Sequence, residues 1–208
     1  MKFFARMLVG IVVLGAGFLL GVKFQARVES RSARSALIEV QKTRIERLQG
    51  EALRLRTALL LRDYLEEVRR RLPRTTYQTM VGAIADASLQ YGVPPETILA
   101  VIRIESTFDV EAQSEAGAIG LMQLLPSTAE EIARELRMKW TGEETLRDPA
   151  ANIEMGAYYL TKLLRRFNDL AGALAAYNEG PGRVASRQTA YVRLTTDYAR
   201  KVLSYATP

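Results

Sequence analysis

The stretch that decides the fold is ILAVIRIESTFDVEAQSEAGAIGLMQLLP, residues Ile98–Pro126. Its first half carries apolar residues at the spacing of one face of an amphipathic helix, namely Ile98, Val101 and Ile102. Glu105 occupies the next position of that face. A carboxyl group on the buried side of a helix is costly unless it is paired, or protonated with a raised pKa. Glu105 is therefore either a structural partner of an arginine such as Arg103, or a general acid.

The second half of the stretch is a loop rich in small residues. Gly117 and Gly120 permit a positive φ or the close approach of two backbone segments. Gln123 stands between apolar residues, so its side chain needs a hydrogen-bond partner if it is buried. A backbone group would satisfy it, and so would an amide or hydroxyl of a substrate.

Composition excludes several kinds of catalysis. The chain has 208 residues, which suggests one to two domains, and it contains no Cys and no His. Disulfides, thiol nucleophiles, Ser-His-Asp triads and most transition-metal sites are therefore excluded. If the chain is an enzyme, carboxylates, lysine, tyrosine or serine must carry the chemistry. The formal net charge of +6 suits an acidic polymer, an anionic membrane surface or nucleic acid, and does not choose among them.

The N-terminus predicts a membrane anchor. Residues Met7–Val22 are uncharged and strongly apolar, and the run is slightly shorter than the roughly 20 residues that a spanning helix prefers. The residues that follow it make a poor signal-peptide cleavage site, so we expect an uncleaved transmembrane anchor within residues 1–24. The flanking basic residues, taken alone, favour a cytoplasmic location for the part of the chain that follows the anchor.

Residues 25–73 predict a long helical stalk, because they contain a single glycine, Gly50, and no proline before Pro73. Apolar residues follow a heptad-like spacing that we call the seam: Ile38, Ile45, Leu48, Ala52, Leu55 and Leu59. Gln41 and Arg62 interrupt it. Three alternatives are open: a coiled coil, which would make a homodimer, a single long helical stalk, and a helix that packs on the domain. Pro73 is the predicted domain boundary.

Residues 74–208 predict a compact, mainly α-helical domain. Helix ends are expected at Gly92 and Gly180, and helix starts at Pro95, at a Ser127–Glu130 capping box and at Asp148. Residues 140–147 are expected to be a polar connection, and a last helix contains Leu194 and Tyr198. Near Gly180, Tyr177 lies on an apolar helix face with a hydroxyl to satisfy, and Asn178 is a candidate C-terminal cap. Either this is a structural turn, or Tyr177 points into the same cleft as Glu105.

Taken together, these motifs resemble the catalytic domains of bacterial soluble lytic transglycosylases, which are related to goose-type lysozyme. The matching residues are Glu105-Ser106-x-Phe108, Gly117-Ala118-x-Gly120-Leu121-Met122-Gln123 and Ala175-Ala176-Tyr177-Asn178-x-Gly180-Pro181-Gly182, with Asp148-Pro149 and Asn152-Ile153 between them. Each motif alone is moderately specific, and all of them in order make a strong signal.

The resemblance implies a lysozyme-like fold with a glycan-binding cleft that cleaves the β-1,4 bond between N-acetylmuramic acid and N-acetylglucosamine in peptidoglycan. It implies peptidoglycan, rather than nucleic acid, as the partner, no cofactor and no metal, and a location outside the cytoplasmic membrane. This implied location conflicts with the charge pattern around the anchor, and we expect the catalytic domain to lie outside the cytoplasmic membrane. Glu105 matches the single catalytic acid/base, and Ser114, Gln123, Tyr177 and Asn178 match substrate-binding positions.

Two positions depart from the family pattern. Leu125 stands where a methionine is common, and Leu194 where a carboxylate is expected, which puts the orientation of Glu105 in doubt. A lysozyme-type hydrolase would need a second carboxylate, for which the candidates are Asp109, Glu111, Glu115 and Glu179. A non-catalytic, glycan-binding scaffold of an envelope machine is the alternative from another class.

Overall fold

The computed structural model describes residues 25, 27, 31–32, 34–60, 72–186 and 196–206. The predicted anchor (residues 1–24) and Leu194 lie outside the described residues. Within the described part of the chain, no helix is both long enough and apolar enough to cross a membrane. Contacts divide the chain into two compact units, Met1–Gln49 and Gly50–Pro208.

Residues 34–60 are helical and are called α1, and the stalk over residues 25–73 stays a prediction. Large apolar residues of the seam are between 46% and 63% exposed, namely Ile38, Ile45, Leu48, Leu55 and Leu59. The coiled coil stays a prediction. Within the second unit, Arg54 pairs with Asp86 at 2.9 Å, and Arg56 pairs with Glu96. The domain boundary at Pro73 also stays a prediction, although these pairs already join residues 54–56 to the helices that follow.

The described part of the second unit continues with eight helices: α2 (Arg74–Tyr91), α3 (Pro95–Ser106), α4 (Pro126–Leu136), α5 (Glu143–Arg147), α6 (Pro149–Phe167), α7 (Leu170–Glu179), α8 (Pro181–Ser186) and α9 (Asp197–Ala206). Extended pairing among the described residues is limited to two isolated bridges, Gln113 with Ile119 and Ile119 with Leu124. The predicted mainly α-helical class is confirmed.

Several helix boundaries follow from local chemistry as predicted. Gly92 ends α2 with a φ of 72°, a conformation that costs glycine little. Proline occupies the first turn of α3, where its missing N–H has no intrahelical partner in any case. The Asp148 side chain caps α6 by accepting a hydrogen bond from the backbone N–H of Ala151 at 2.8 Å.

Three local predictions were wrong. Helix α4 begins at Pro126, one residue before the predicted capping box, because proline is pre-organised for the first helical position. Part of the predicted polar connection, residues 143–147, is helical. Gly180, with a φ of 89°, caps α7, whereas Asn178 lies inside that helix.

Helix α3 is the most buried element and carries Glu105 near its C-terminus. Its residues 98–102 are all buried. One apolar cluster surrounds them with side chains from the other helices, including Ile84 of α2, Leu160 of α6, Leu174 of α7 and Val202 of α9. A second cluster, with Ile119, Leu124, Ile132, Leu146 and Met155, lies beneath the loop that follows α3.

Candidate active site

Glu105 lies on the last turn of α3, half-buried. Its Oε1 atom accepts a hydrogen bond of 2.6 Å from the hydroxyl of Tyr198 on α9. Burial raises the pKa of the Glu105 carboxyl, because removing water destabilises the charged form. The Tyr198 hydrogen bond lowers the same pKa, since it stabilises the carboxylate, but burial is the larger effect. The site therefore favours the protonated form of Glu105 more than water does.

The chain turns sharply after Glu105. Thr107 ends α3 with a φ of 50°, and Phe108 follows with a φ of 65°. Phe108 is only 3% exposed, so its burial in the main cluster compensates an uncommon backbone conformation. Ser106 donates its hydroxyl to the carbonyl of Ile102 at 3.0 Å. The turn and this hydrogen bond hold the last turn of α3.

Two tyrosines from different helices lie near Glu105. Burial raises the pKa of both Tyr177 and Tyr198 well above the ordinary tyrosine value, and the negative charge of Glu105 raises each further. The hydroxyl of Tyr177 donates to the backbone carbonyl of Met122 at 2.8 Å. Its ring packs on Tyr159, with the ring centroids 5.4 Å apart. Tyr198 thus holds the acid, whereas Tyr177 holds the neighbouring loop.

The loop of residues 112–124, here called the wall loop, is held by its own backbone. Ile119 and Leu124 exchange two hydrogen bonds of 3.0 and 3.2 Å, and Gly120 donates to the carbonyl of Ala112 at 2.9 Å. Gly117 and Gly120 both have a φ of 82°. The side chain of Gln123 donates to the carbonyls of Ala112 and Gly120 at 3.0 and 2.9 Å. Backbone groups therefore occupy its amide nitrogen, and its carbonyl oxygen is the group it can offer to a ligand.

Asn152 of α6 anchors the wall loop to the domain. It is fully buried, and its Oδ1 accepts a hydrogen bond of 2.7 Å from the backbone N–H of Met122. Its Nδ2 donates to the carbonyls of Ile119 and Leu146 at 3.0 and 2.9 Å. Met122 is therefore held through both backbone groups, by Asn152 at its nitrogen and by Tyr177 at its oxygen.

The other predicted site residues are more exposed. The Oγ of Ser114 accepts a hydrogen bond of 3.0 Å from the backbone N–H of Ala118, which leaves the hydroxyl proton for another acceptor. Asn178 lies on an exposed position of α7. The structure thus brings Glu105 and Tyr177 together, joins Tyr177 to the wall loop beside Gln123, and puts Ser114 and Asn178 on the surface.

Three of the four carboxylates considered for a hydrolytic mechanism contact other groups or lie on the surface. Glu111 pairs with Arg147 at 3.1 Å, and Asp109 accepts a hydrogen bond from the backbone N–H of Glu111 at 3.0 Å. Glu115 is exposed on the wall loop.

Sequence reasoning missed Tyr198 as a site residue. It is 93 residues from Glu105 in the chain, and helix periodicity assigned it only to a stripe of the last helix. The sequence signal that was present was a tyrosine on the apolar side of a helix, whose hydroxyl needs a partner when buried.

Comparison with known proteins gives the family. The family model of the transglycosylase SLT domain matches residues 82–198. Over 81 residues the chain is 46% identical to the endo-type membrane-bound lytic murein transglycosylase A of Klebsiella pneumoniae. The aligned region covers 37% of this chain and 39% of that protein. The soluble lytic murein transglycosylase of Escherichia coli K12 is 36% identical over 94 residues, 44% of this chain and 15% of that protein.

Solved structures are similar to the same region. The lytic transglycosylase Slt of Pseudomonas aeruginosa, solved as an inactive mutant, has a TM-score of 0.55 and 35% identity, covering 60% of this chain and 22% of that one. A 70-kDa soluble lytic transglycosylase in complex with bulgecin A has a TM-score of 0.54 and 26% identity, covering 60% of this chain and 23% of that one. The chain spans well under half of the length of these relatives. Because the family model matches more than half of the chain and includes Glu105, Tyr177 and Tyr198, the chain belongs to the transglycosylase SLT domain family.

Proposed function

We propose that this chain is a peptidoglycan lytic transglycosylase in which Glu105 acts first as acid and then as base. The observation that carries the proposal is the environment of Glu105 within the SLT region. The carboxyl is half-buried, its pKa is raised by burial, and one of its oxygens accepts a hydrogen bond from Tyr198. A raised pKa favours the protonated carboxyl, which is the form that can donate a proton to the leaving oxygen of a glycosidic bond.

The mechanism needs a single carboxyl group. Tyr198 donates to Oε1, so the acidic proton of Glu105 sits on Oε2 and is transferred to the leaving oxygen of the β-1,4 bond. The N-acetyl group of the substrate stabilises C1 of the N-acetylmuramic acid, as in substrate-assisted glycosidases. The Glu105 carboxylate then takes the proton of the 6-hydroxyl, whose oxygen closes on C1. The product has a 1,6-anhydro end, and no water is consumed.

The other proposed site residues bind the glycan. Gln123 offers its carbonyl oxygen to an N–H or O–H group of the substrate, because its amide nitrogen is bonded to the loop. Ser114 and Asn178 offer exposed polar groups to the glycan. Tyr177 contributes its ring and keeps the wall loop in place through Met122. Glu105, Ser114, Gln123, Tyr177 and Asn178 form the site that we propose.

Mass analysis of the products tests the activity. Purified peptidoglycan incubated with the protein should yield fragments with 1,6-anhydro ends, which are lighter by one water than hydrolytic products. The Glu105→Gln variant should yield neither kind, while it still binds peptidoglycan. Fragments with reducing ends only would indicate a lysozyme-type hydrolase. Equal product release by the wild type and the variant would contradict a catalytic role of Glu105, and binding without any release would indicate a scaffold.

For the remainder of the chain we propose an arrangement of an anchor over residues 1–24, a stalk over 25–73 and the catalytic domain over 74–208. The catalytic domain would lie on the extracytoplasmic side of the membrane, where its substrate is. The apolar run Met7–Val22 supports the anchor. The protein should sediment with membranes, and deletion of residues 1–24 should release it. Protease added to spheroplasts should digest the domain, and digestion only after lysis would contradict this location.

We also propose that the stalk forms a homodimer through its seam. The exposed isoleucine and leucine residues of the seam recur at heptad spacing, and exposed apolar side chains in such a row gain from burial against a second copy. Sedimentation should give twice the monomer mass. Ile45→Glu should produce a monomer, whereas Thr43→Glu, off the seam, should not. A monomeric wild type would contradict the coiled coil.

A further inference from the structure

Helix α9 brings a hydroxyl to the acid, and its apolar side chains pack on the main cluster, where Tyr198, Leu203 and Ala206 are partly buried. Its buried side chains among the described residues are Ala199 and Val202. Isolated helices of about ten residues are marginal in water. The position of Tyr198 therefore depends on further contacts between α9 and its neighbours.

One such contact lies on the helix that carries the acid. The guanidinium of Arg103 lies over the ring of Tyr205, with its Cζ 4.1 Å from the ring centroid. Arg103 precedes Glu105 by two residues on α3, and Tyr205 follows Tyr198 by seven residues on α9. A hydrogen bond at the start of α9 and a cation–π contact near its end are thus two of the contacts that join the helices.

We propose that Arg103 and Tyr205 are positioning residues: their contact fixes the end of α9 on α3 and thereby keeps the Tyr198 hydroxyl on Glu105. Seven residues of helix span about 10.5 Å, so the two attachments are far enough apart to restrict the tilt and rotation of α9. The inference rests on the proposed function, because the position of Tyr198 matters to the extent that Glu105 carries the chemistry.

The tyrosine side of the contact gives the cleaner test. Among the described residues, the titratable groups that face Glu105 are Tyr198 of α9 and Tyr177 of α7, and Arg103 lies on its own helix. Replacing Tyr205 leaves all three in place. Tyr205→Leu removes the aromatic face, whereas the matched control Tyr205→Phe keeps it. Arg103→Lys keeps the charge but removes the planar group, and it is the second variant if Tyr205→Leu does not fold.

The readout is the ionisation of the Glu105 carboxyl, measured by NMR titration of protein with ¹³C-labelled glutamate. Tyr198 lowers this pKa through its hydrogen bond, so Tyr198→Phe should raise it. Tyr205→Leu should also raise it, and Tyr205→Phe should leave it at the wild-type value. The release of anhydro products should fall about fivefold in Tyr205→Leu, as expected for the loss of a partly exposed cation–π contact.

The double variant separates positioning from a general loss of stability. In a Tyr198→Phe background, Tyr205→Leu should change neither the Glu105 pKa nor product release any further, because the two residues act through one hydrogen bond. Independent effects that multiply would overturn the proposal, and so would an unchanged pKa in Tyr205→Leu. If the wild type releases no anhydro product, the proposed function fails, and the titration still tests the contact.

Discussion

A glycine-to-alanine pair in the wall loop tests how closely this loop is packed against the domain. Gly117 and Gly120 have the same φ of 82°, so alanine meets the same backbone strain at both positions. That strain costs roughly 1–2 kcal/mol. The surroundings of the two positions differ. No described atom lies within 4 Å of a Cβ built on Gly117, whereas a Cβ on Gly120 comes closer than 3.0 Å to the carbonyl oxygen of Leu146 and to Nδ2 of Asn152.

The expected cost at Gly120 follows from what has to move. The backbone around the Leu146 carbonyl must shift to relieve one clash, and the Asn152 side chain must be displaced to relieve the other. Asn152 then loses its hydrogen bonds to Met122, Ile119 and Leu146, which contribute about 1 kcal/mol each. We therefore expect Gly120→Ala to lower the free energy of unfolding by about 4–5 kcal/mol, and Gly117→Ala by about 1–2 kcal/mol.

Urea unfolding followed by circular dichroism measures both variants against the wild type. The difference between them, about 3 kcal/mol, is independent of the strain that they share. A Gly120→Ala protein that is unfolded without urea, beside a folded Gly117→Ala protein, would also agree with this difference. A difference below about 1 kcal/mol would mean that the loop shifts freely and that Asn152 does not anchor it.

Three further outcomes are expected. Because the folded-state pKa of Glu105 is raised, wild-type stability decreases as the pH rises above the unfolded-state pKa of 4.5 towards the folded-state pKa. The melting temperature of Glu105→Gln should therefore increase relative to that of the wild type from pH 4 to pH 8. A constant difference in melting temperature would argue against a raised pKa. Tyr198→Phe should slow product release about tenfold and shift the alkaline limb of the pH–rate profile to higher pH, because a hydrogen bond that lowers the Glu105 pKa is lost. An alkaline limb at the wild-type pH would contradict this role of Tyr198. Asn152→Ala should lower the free energy of unfolding by about 2–4 kcal/mol in urea, whereas Asn178→Ala on the surface should change it by less than about 0.5 kcal/mol, and equal effects would refute the anchoring role.

Local sequence patterns predicted much of the fold. Apolar periodicity and the residues Gly92, Pro95, Asp148 and Gly180 gave correct helix ends, because each acts through the backbone of its own neighbourhood. The start of α4 was misjudged, since the capping-box pattern competed with a proline that suits the first helical position equally well. The roles of the proposed site residues stay predictions.

For the candidate site, the sequence by itself determined which helix face carries Glu105 and that the loop after it needs glycine. Only the tertiary structure decided what holds these parts. It joined Glu105 to Tyr198 across 93 residues, and it committed the Tyr177 hydroxyl to Met122 across 55. Periodicity reports which side of an element is buried. It does not report which distant groups share that buried space, because that depends on how the helices pack around α3.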